Sequence, residues 1–397
     1  MRRKNEAILS ILYRLHIISP KGLFVWAKSL ILEGISLMAL LRFVAYFYPQ
    51  RCAVIDDCQS LTYQELYNRT RQLAQILYTK YHLQPKMRVA LIGRNSLTLT
   101  TLLHALSRLG IHTTLLSTDL GTEQITADLQ KHHYQLFVYD EDLKQVPIET
   151  PCTAVTTETL SDILLSKEAQ TRDIKLPKIW RGGEITIHSG GTSGNFKSIA
   201  RCPSVTSFLP PLLALLHNIR IYQYKSVLIS LPFYHGFGLS TLIISLLMGK
   251  KVCLQKRFDA IKTLEIIQRE QIEVMPIVPA MLSRFWQIEN AKEKMKSLRC
   301  LISGGDKLPK SLIETTHKEI GEVLFNLYGT SEAGFFMLAT PKELASFEET
   351  TLGKPIQGVD CKIKNLNEEG IGTLWVRSRW AMHGKQNQWQ NTGDLVS

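Results

Sequence analysis

The sequence predicts an α/β fold with parallel-type sheets flanked by helices in two subdomains, followed by a small β-barrel-like subdomain. Three observations carry that expectation. From about residue 88 to about residue 330, short apolar runs alternate with stretches of helical period, the pattern of strands joined by crossover helices. From Thr351 onward the texture changes to short alternating runs, such as Asp360–Lys364 and Gly372–Val376, separated by Asn, Glu and Gly. The length of 397 residues with 45% hydrophobic content is enough for a large core and more than one lobe. The chain is therefore divided into an N-terminal helical extension (1–50), an α/β core (51–350) and a β-rich segment (351–397).

The elements follow in order. Residues 5–48 read as helices, because Ile8, Leu9, Leu12 and Leu15 recur at helical spacing while Arg14 lies on another side. Pro20 and Gly22 are expected to break that run, and a second helical stretch runs from about Leu23 to Pro49. It reads as a helical cap packed on the main body. The alternative is a basic amphipathic segment resting on a membrane surface, against which Glu33 and the mixed faces weigh. Residues 52–56 read as a short strand. Thr62 and Glu65 form an [ST]-x-x-E capping box that opens a helix through about Tyr81. Arg88–Ile92 is an apolar strand, a helix follows from about Ser96, and another strand lies near Ile111–Leu116. Residues 141–180 are polar and expected to be loop-rich. The uncharged run Gly236–Gly249 suits a buried helix.

Composition narrows the function. The formal charge is +12, and residues 1–51 carry eight Lys/Arg against two acids, a local net of +6. Such an excess suits nucleic acid, an anionic membrane or phosphate-bearing ligands. Zinc-ligand spacing and the aromatic motif of an RNA-binding sheet are both missing, which ranks nucleic acid last. The seven cysteines (52, 58, 152, 202, 253, 300, 361) are scattered with no CxxC, so a reducing compartment and buried, inert thiols are expected. Residues 23–48 are interrupted by Lys28, Glu33 and Arg42, and no transmembrane segment is expected.

Five segments carry chemistry. In Ile185–Lys197 an apolar strand runs into a loop rich in Gly and hydroxyls that ends on a lysine. Glycines let backbone N–H groups approach an anion, hydroxyls donate to phosphate oxygens and lysine adds charge. The spacing is not that of a Walker A loop, and a flexible Gly/Ser turn is the plain alternative. Leu231–Leu239 ends a strand in aromatics, His235 and two glycines, as a pocket wall would. Leu301–Asp306 ends a strand in small residues against which a flat ring can lie. In Asn326–Glu332, Tyr328, two hydroxyls and a carboxylate converge within five residues, suited to a phosphate with Mg²⁺ beside it. In Asn391–Asp394 an acid follows a Gly turn and can accept both hydroxyls of a ribose.

Together, in this order and at these spacings, the five segments resemble the adenylate-forming superfamily of acyl-CoA synthetases, luciferases and peptide-synthetase adenylation domains. The resemblance covers roughly residues 45–397 and makes the core an AMP-binding one. It implies a two-step reaction. A carboxylate attacks the α-phosphate of ATP to give an acyl-adenylate and pyrophosphate, and a thiol such as CoA then takes the acyl group. It also implies roles. Thr192, Ser193, Gly194 and Lys197 belong to the phosphate loop. Tyr328, with Gly304, Gly305 and Asp306, flanks adenine, and Gly329 and Thr330 complete that strand. Ser331 contacts the α-phosphate, Glu332 holds Mg²⁺, Asp394 binds ribose and His235 stands at the acyl pocket.

Two departures qualify the pattern. Phe196, Lys197 and Ser198 stand where the family usually has Pro, Lys and Gly. The hinge, a ribose-contacting Arg and the small domain with its catalytic Lys, which lie beyond the Asp394 motif in the family, are missing from this sequence. That favours, as the alternative function, a nucleotide- or acyl-binding remnant without ligase turnover, or a separate chain that supplies the C-terminal domain. Leu231–Leu239 contains no acid to meet a substrate ammonium, so an acid without an α-amino group is expected. The N-terminal helices resemble those of some fatty-acyl-CoA ligases, which favours a fatty acid over an aromatic one. A cytoplasmic enzyme, peripheral at a membrane surface through residues 1–50, is the expected setting.

Overall fold

The computed structural model describes residues 10–13, 15–147, 149–166, 174–189, 197–201, 212–330, 334–348, 350–378, 381 and 385–397. In chain order the elements are α1 (Pro20–Glu33), α2 (Leu37–Phe47), β1 (Cys52–Ile55), β2 (Ser60–Thr62), α3 (Tyr63–Thr79), β3 (Arg88–Ile92), α4 (Leu97–Leu109), β4 (His112–Leu116), α5 (Thr122–His132), β5 (Leu136–Tyr139), β6 (Thr153–Thr156) and α6 (Thr157–Leu165). There follow β7 (Ile185–Ser189), β8 (Lys197–Arg201), β9 (Ser226–Ile229), α7 (Gly236–Leu247), β10 (Lys251–Leu254), α8 (Ala260–Glu270), β11 (Val274–Ile277), α9 (Pro279–Phe285), α10 (Ala291–Lys294), β12 (Cys300–Gly304) and α11 (Lys310–Ile320). The chain ends with β13 (Leu324–Thr330), β14 (Gly334–Ala339), α12 (Pro341–Ser346), β15 (Lys354–Pro355), β16 (Val359–Lys364), β17 (Gly372–Ser378) and β18 (Gln390–Val396).

The chain forms two compact units, one of Met1–Pro203 with Pro232–Arg257 and one of Ser204–Leu231 with Phe258–Ser397. In the first, a six-stranded sheet has the order β6-β5-β3-β4-β7-β8. All its pairs are parallel except the β7–β8 hairpin. β10 and β1 form a further parallel pair, to which β2 adds antiparallel. The strands are near-continuous apolar runs because helices cover both faces, as parallel sheets require. Val89, Ala90, Leu91 and Ile92 of β3 are all buried.

In the second unit, β9, β11, β12 and β13 run parallel, and β14 and β15 add antiparallel at the edge. The barrel-like segment expected from Thr351 onward is an antiparallel three-stranded sheet, β16-β17-β18. It packs through Leu374 and Val376 on Phe336, with Tyr328, Met337 and Leu352 at the rim of that core.

Local chemistry accounts for most boundaries. The capping box at α3 is formed as the sequence predicts, with Thr62 N and Oγ1 donating to Glu65 Oε2 at 2.8 Å each. Ser96 caps α4, and Gly110 ends it at φ 71°, a left-handed position that glycine adopts without steric cost.

The first helical run ends before Pro20, as expected, at the turn residues 15–19, and Pro20 then opens α1, because proline lacks only an N–H that is unused in the first turn, with the Ser19 side chain accepting from Gly22 N. Three expectations are corrected. Gly22 lies inside that helix instead of breaking the chain, and a second break falls at Gly34, φ 67°, before Ser36 caps α2. Residues 141–180 are less loop-rich than their polarity suggests, since β6 and α6 lie within them. Glu33, which weighed against an outward-facing amphipathic helix, points inward. Its Oε2 accepts from Arg108 Nε at 2.6 Å and its Oε1 from Tyr67 Oη at 2.8 Å.

Candidate functional site

The six-stranded sheet has a topological switch point. β3 connects to β4 on one side, whereas β5, which pairs with β3 on its other side, connects onward to β6. The connections after β3 and β5 therefore diverge and leave a crevice at the C-terminal ends of those two strands. Asn95 lies just beyond the end of β3, and Ser117–Asp119 just beyond the end of the neighbouring β4. The Asn95 amide oxygen, buried, accepts from the backbone N–H of Phe233 at 3.1 Å, which ties the segment before α7 to this crevice. Tyr234 is buried, and its hydroxyl meets Thr118 Oγ1 at 3.0 Å.

His235 follows as the residue before α7, its backbone N–H donating to Pro232 O at 3.0 Å and its ring lying 4.7 Å from that of Tyr234. His235 is exposed at the surface, yet partial desolvation by the protein around it lowers its pKa below the ordinary value, against the opposing pull of the Asp119 carboxylate. The imidazole is therefore neutral at pH 7. Asp140, at the end of β5, is buried and accepts from Arg94 N at 2.7 Å and Thr157 Oγ1 at 2.8 Å. Burial raises its pKa, and those two hydrogen bonds oppose the rise.

The Gly-rich loop is framed by β7 and β8, whose register pairs Ser189 with Lys197. Thr192, Ser193 and Gly194 lie outside the described residues. Lys197 is placed by its backbone at the first position of β8.

In the second unit, parallel β12 and β13 pair Ser303 with Asn326 and Gly304 with Leu327. This sets the Gly304 backbone beside the strand that carries Tyr328. Gly305 turns the chain at φ 84°, a backbone conformation that side chains disfavour, and Asp306 is exposed, its Oδ1 accepting from Lys307 N at 2.7 Å. Gly329 has a packing role. A Cβ there would meet Gly334 O at 2.5 Å, so only glycine lets β14 approach. Thr330 ends β13, and Ser331 and Glu332 lie outside the described residues.

Tyr328 and Asp394, far apart in sequence, meet here. The tyrosine hydroxyl donates to Asp394 Oδ2, and the ring packs edge-on against Phe336 at 5.0 Å. Burial, then the bond to Asp394, push the phenol pKa well up, so it stays a donor. Asp394 lies within β18 and not after a turn. Gly393, at φ 83°, produces a local irregularity there, and Thr392 Oγ1 accepts from Asp394 N at 3.2 Å. Ser303, fully buried one residue before Gly304, has a hydroxyl with no hydrogen-bond partner among the described residues. Such an orphan commonly marks a ligand or water position.

An aromatic ring, a strand end of bare backbone, an exposed carboxylate and an orphaned hydroxyl suit the adenosine part of a nucleotide. For a metal the described residues offer no cluster of three or more His, Cys, Asp or Glu. The sequence reading missed Asn95, Thr118, Asp119 and Ser303. A polar triplet just past an apolar strand, Arg94–Ser96, was the available signal for the first.

The fold and these strand-end sites define the class of acyl-CoA synthetase-like, AMP-forming ligases. The family model described as AMP-binding enzyme matches residues 41–384, and the chain belongs to that family. It is 25% identical over 368 residues to 2-succinylbenzoate–CoA ligase of Bacillus subtilis (strain 168), covering 88% of this chain and 73% of that protein. It is 27% identical over 378 residues to the same-named ligase of Staphylococcus aureus (strain MRSA252), covering 87% and 74%. Among solved structures, the o-succinylbenzoate CoA synthetase of Bacillus subtilis in complex with its acyl-adenylate intermediate superposes with a TM-score of 0.76 at 22% identity, covering 90% of this chain and 75% of that one. The inhibitor-bound N-terminal domain of FACL13 from Mycobacterium tuberculosis superposes with a TM-score of 0.77 at 20% identity, covering 91% and 96%.

Proposed function

We propose that the chain activates a carboxylic acid with ATP and passes the acyl group to CoA. The observation that carries the nucleotide half is the meeting of Tyr328 and Asp394 beside the Gly304–Asp306 strand end. Three segments named separately from the sequence lie together in one unit there. The reading has two steps. A carboxylate oxygen attacks the α-phosphorus, the bond to the pyrophosphate oxygen breaks, and acyl-adenylate forms. The CoA sulfur then attacks the acyl carbon and AMP leaves. Thr192, Ser193, Gly194 and Lys197 offset charge on the transferring phosphorus, with Ser331 at the α-phosphate. Glu332 would hold Mg²⁺, which supplies further positive charge at the phosphates. Asp394 accepts the ribose hydroxyls, and Gly304, Gly305, Asp306, Tyr328, Gly329 and Thr330 form the adenine wall. A neutral His235, beside Tyr234, lines the acyl side.

For the acid, the absence of any carboxylate in Leu231–Leu239 supports one without an α-ammonium group. The similar curated ligases are named for 2-succinylbenzoate, so an aromatic dicarboxylic acid of that kind is the first substrate to test. The fatty acid expected from the N-terminal helices is the second. We place the enzyme in the cytoplasm and keep the domain boundaries 1–50, 51–350 and 351–397.

The test is ATP–pyrophosphate exchange with 2-succinylbenzoate and a panel of fatty and aromatic acids, on wild type and Glu332→Ala. Acid-dependent exchange that the substitution abolishes supports the reading, and the panel names the acid. ATP binding without exchange for any acid would leave a nucleotide-binding protein without ligase turnover.

A further inference from the structure

Helix α1 is inside out. Its buried side carries Gly22, Val25, Ser29 and Glu33, and Ser29 Oγ has no hydrogen-bond partner among the described residues. Its outward side carries the large apolar residues. Phe24 is 69% and Ile31 80% exposed, with Leu23 at 56%, Leu32 at 46% and Leu30 at 39%. At 100° per residue these span one arc of about 200° centred on Phe24 and Ile31, which are seven residues apart, and Lys21 and Lys28, both exposed, project within it between Phe24 and Leu32. Lys21 Nζ lies 5.3 Å from the ring of Tyr46, itself 55% exposed. No Asp or Glu occurs from Ala7 to Leu32, and Glu33 is turned inward onto Arg108 and Tyr67.

We propose that this face of α1 docks on an anionic lipid surface, with Phe24 and Ile31 inserted among the acyl chains and Lys21 and Lys28 at the headgroups. Two features select a bilayer over a protein partner. The face is a single-helix ridge that carries cations and no carboxylate, which complements a negative plane. An aromatic, Tyr46, and Lys21 stand together beside it, as in residues anchored at a membrane–water boundary. Fourteen residues span about 21 Å, and no helix among the described residues is long and apolar enough to cross a membrane, so the helix lies in the surface. Reversed burial on a helix otherwise costs stability, and a lipid partner gives it a use. The proposal is independent of which acid is activated.

The test is co-sedimentation of the full chain with vesicles of phosphatidylcholine alone and with about 30% phosphatidylglycerol, for wild type, Phe24→Asp/Ile31→Asp and Lys21→Gln/Lys28→Gln. All four positions are exposed, and urea midpoints check that the variants fold. Wild type is expected to bind the anionic vesicles and to bind neutral ones much more weakly. The apolar double variant should lose at least ten-fold in affinity. The lysine double variant should lose about 25-fold at low salt, about five-fold per charge. Absence of binding to anionic vesicles overturns the proposal. So does undiminished binding by Phe24→Asp/Ile31→Asp, which would put the affinity in the basic residues elsewhere. A wild-type dimer that those substitutions convert to monomer, without vesicle binding, would assign the face to a second copy.

Discussion

Replacing Glu33 with glutamine keeps the shape of a buried side chain and removes its charge. Glu33 is 7% exposed, its Oε2 lies 2.6 Å from Arg108 Nε, its Oε1 takes the Tyr67 hydroxyl at 2.8 Å, and Arg42 stands 3.6 Å away. The Arg108 side chain is only 8% exposed, and beyond Glu33 it donates to Pro177 O at 3.1 Å. Glu33→Gln therefore strands a buried guanidinium without its counter-charge. Breaking a buried pair from one side costs about 3–5 kcal/mol. An isosteric amide that still accepts one hydrogen bond should fall at the lower end, about 3 kcal/mol. For a unit of this size that corresponds to a fall in melting temperature of roughly 6–12 °C. Urea titration followed by tryptophan fluorescence measures the loss, with Glu33→Met/Arg108→Met as the companion. Replacing both partners removes the stranded charge, so the double variant should recover at least half of it. A loss below about 1 kcal/mol in the single variant, or a double variant no more stable than the single, would refute the reasoning that this pair holds α1 with its apolar side outward.

Three further outcomes are expected. His104 is fully buried, with Nδ1 2.8 Å from Thr100 O, and burial lowers its pKa to about 4. Between about pH 6.5 and 4 the unfolded chain takes up a proton that the folded one refuses, so stability is full above about 6.5 and falls as pH drops to 4, by roughly 1.4 kcal/mol per pH unit. Urea midpoints at pH 7, 5.5 and 4.5 should show a shallower dependence in His104→Gln, and an equal slope would count against it. Asp394→Asn removes a charged acceptor on an exposed strand, and calorimetric titration with ATP should show affinity about ten-fold or more weaker. An unchanged Kd removes Asp394 from the ribose site. Gly183→Ala would place a Cβ 2.0 Å from Ile111 O, and since backbone cannot yield as a side-chain tip does, the cost should exceed about 2 kcal/mol by urea titration. A midpoint equal to wild type would contradict the close approach of that loop to β4.

The sequence by itself determined which segments become strands and helices, wherever a local signal stated it. The apolar run Arg88–Ile92 is β3 residue for residue, and the Thr62–Glu65 capping box starts α3 where its side chains can satisfy the first free N–H groups. It also marked Tyr328, Gly304–Asp306 and Asp394, because aromatic, bare-backbone and carboxylate chemistry is written in residue types. Three things were decided only by tertiary structure. Asp394 reaches Tyr328 because the sheet β16-β17-β18 packs its Leu374 and Val376 on Phe336, a pairing no local pattern encodes. Asn95 and Thr118 gather because the segment Phe233–Tyr234, 138 and 116 residues further along the chain, is bonded to both. The direction of Glu33 is the third, because helical periodicity reports an angle around the axis and not which side the protein covers. Arg108, 75 residues away, supplied the partner that turned the carboxylate inward and left Phe24 and Ile31 facing solvent.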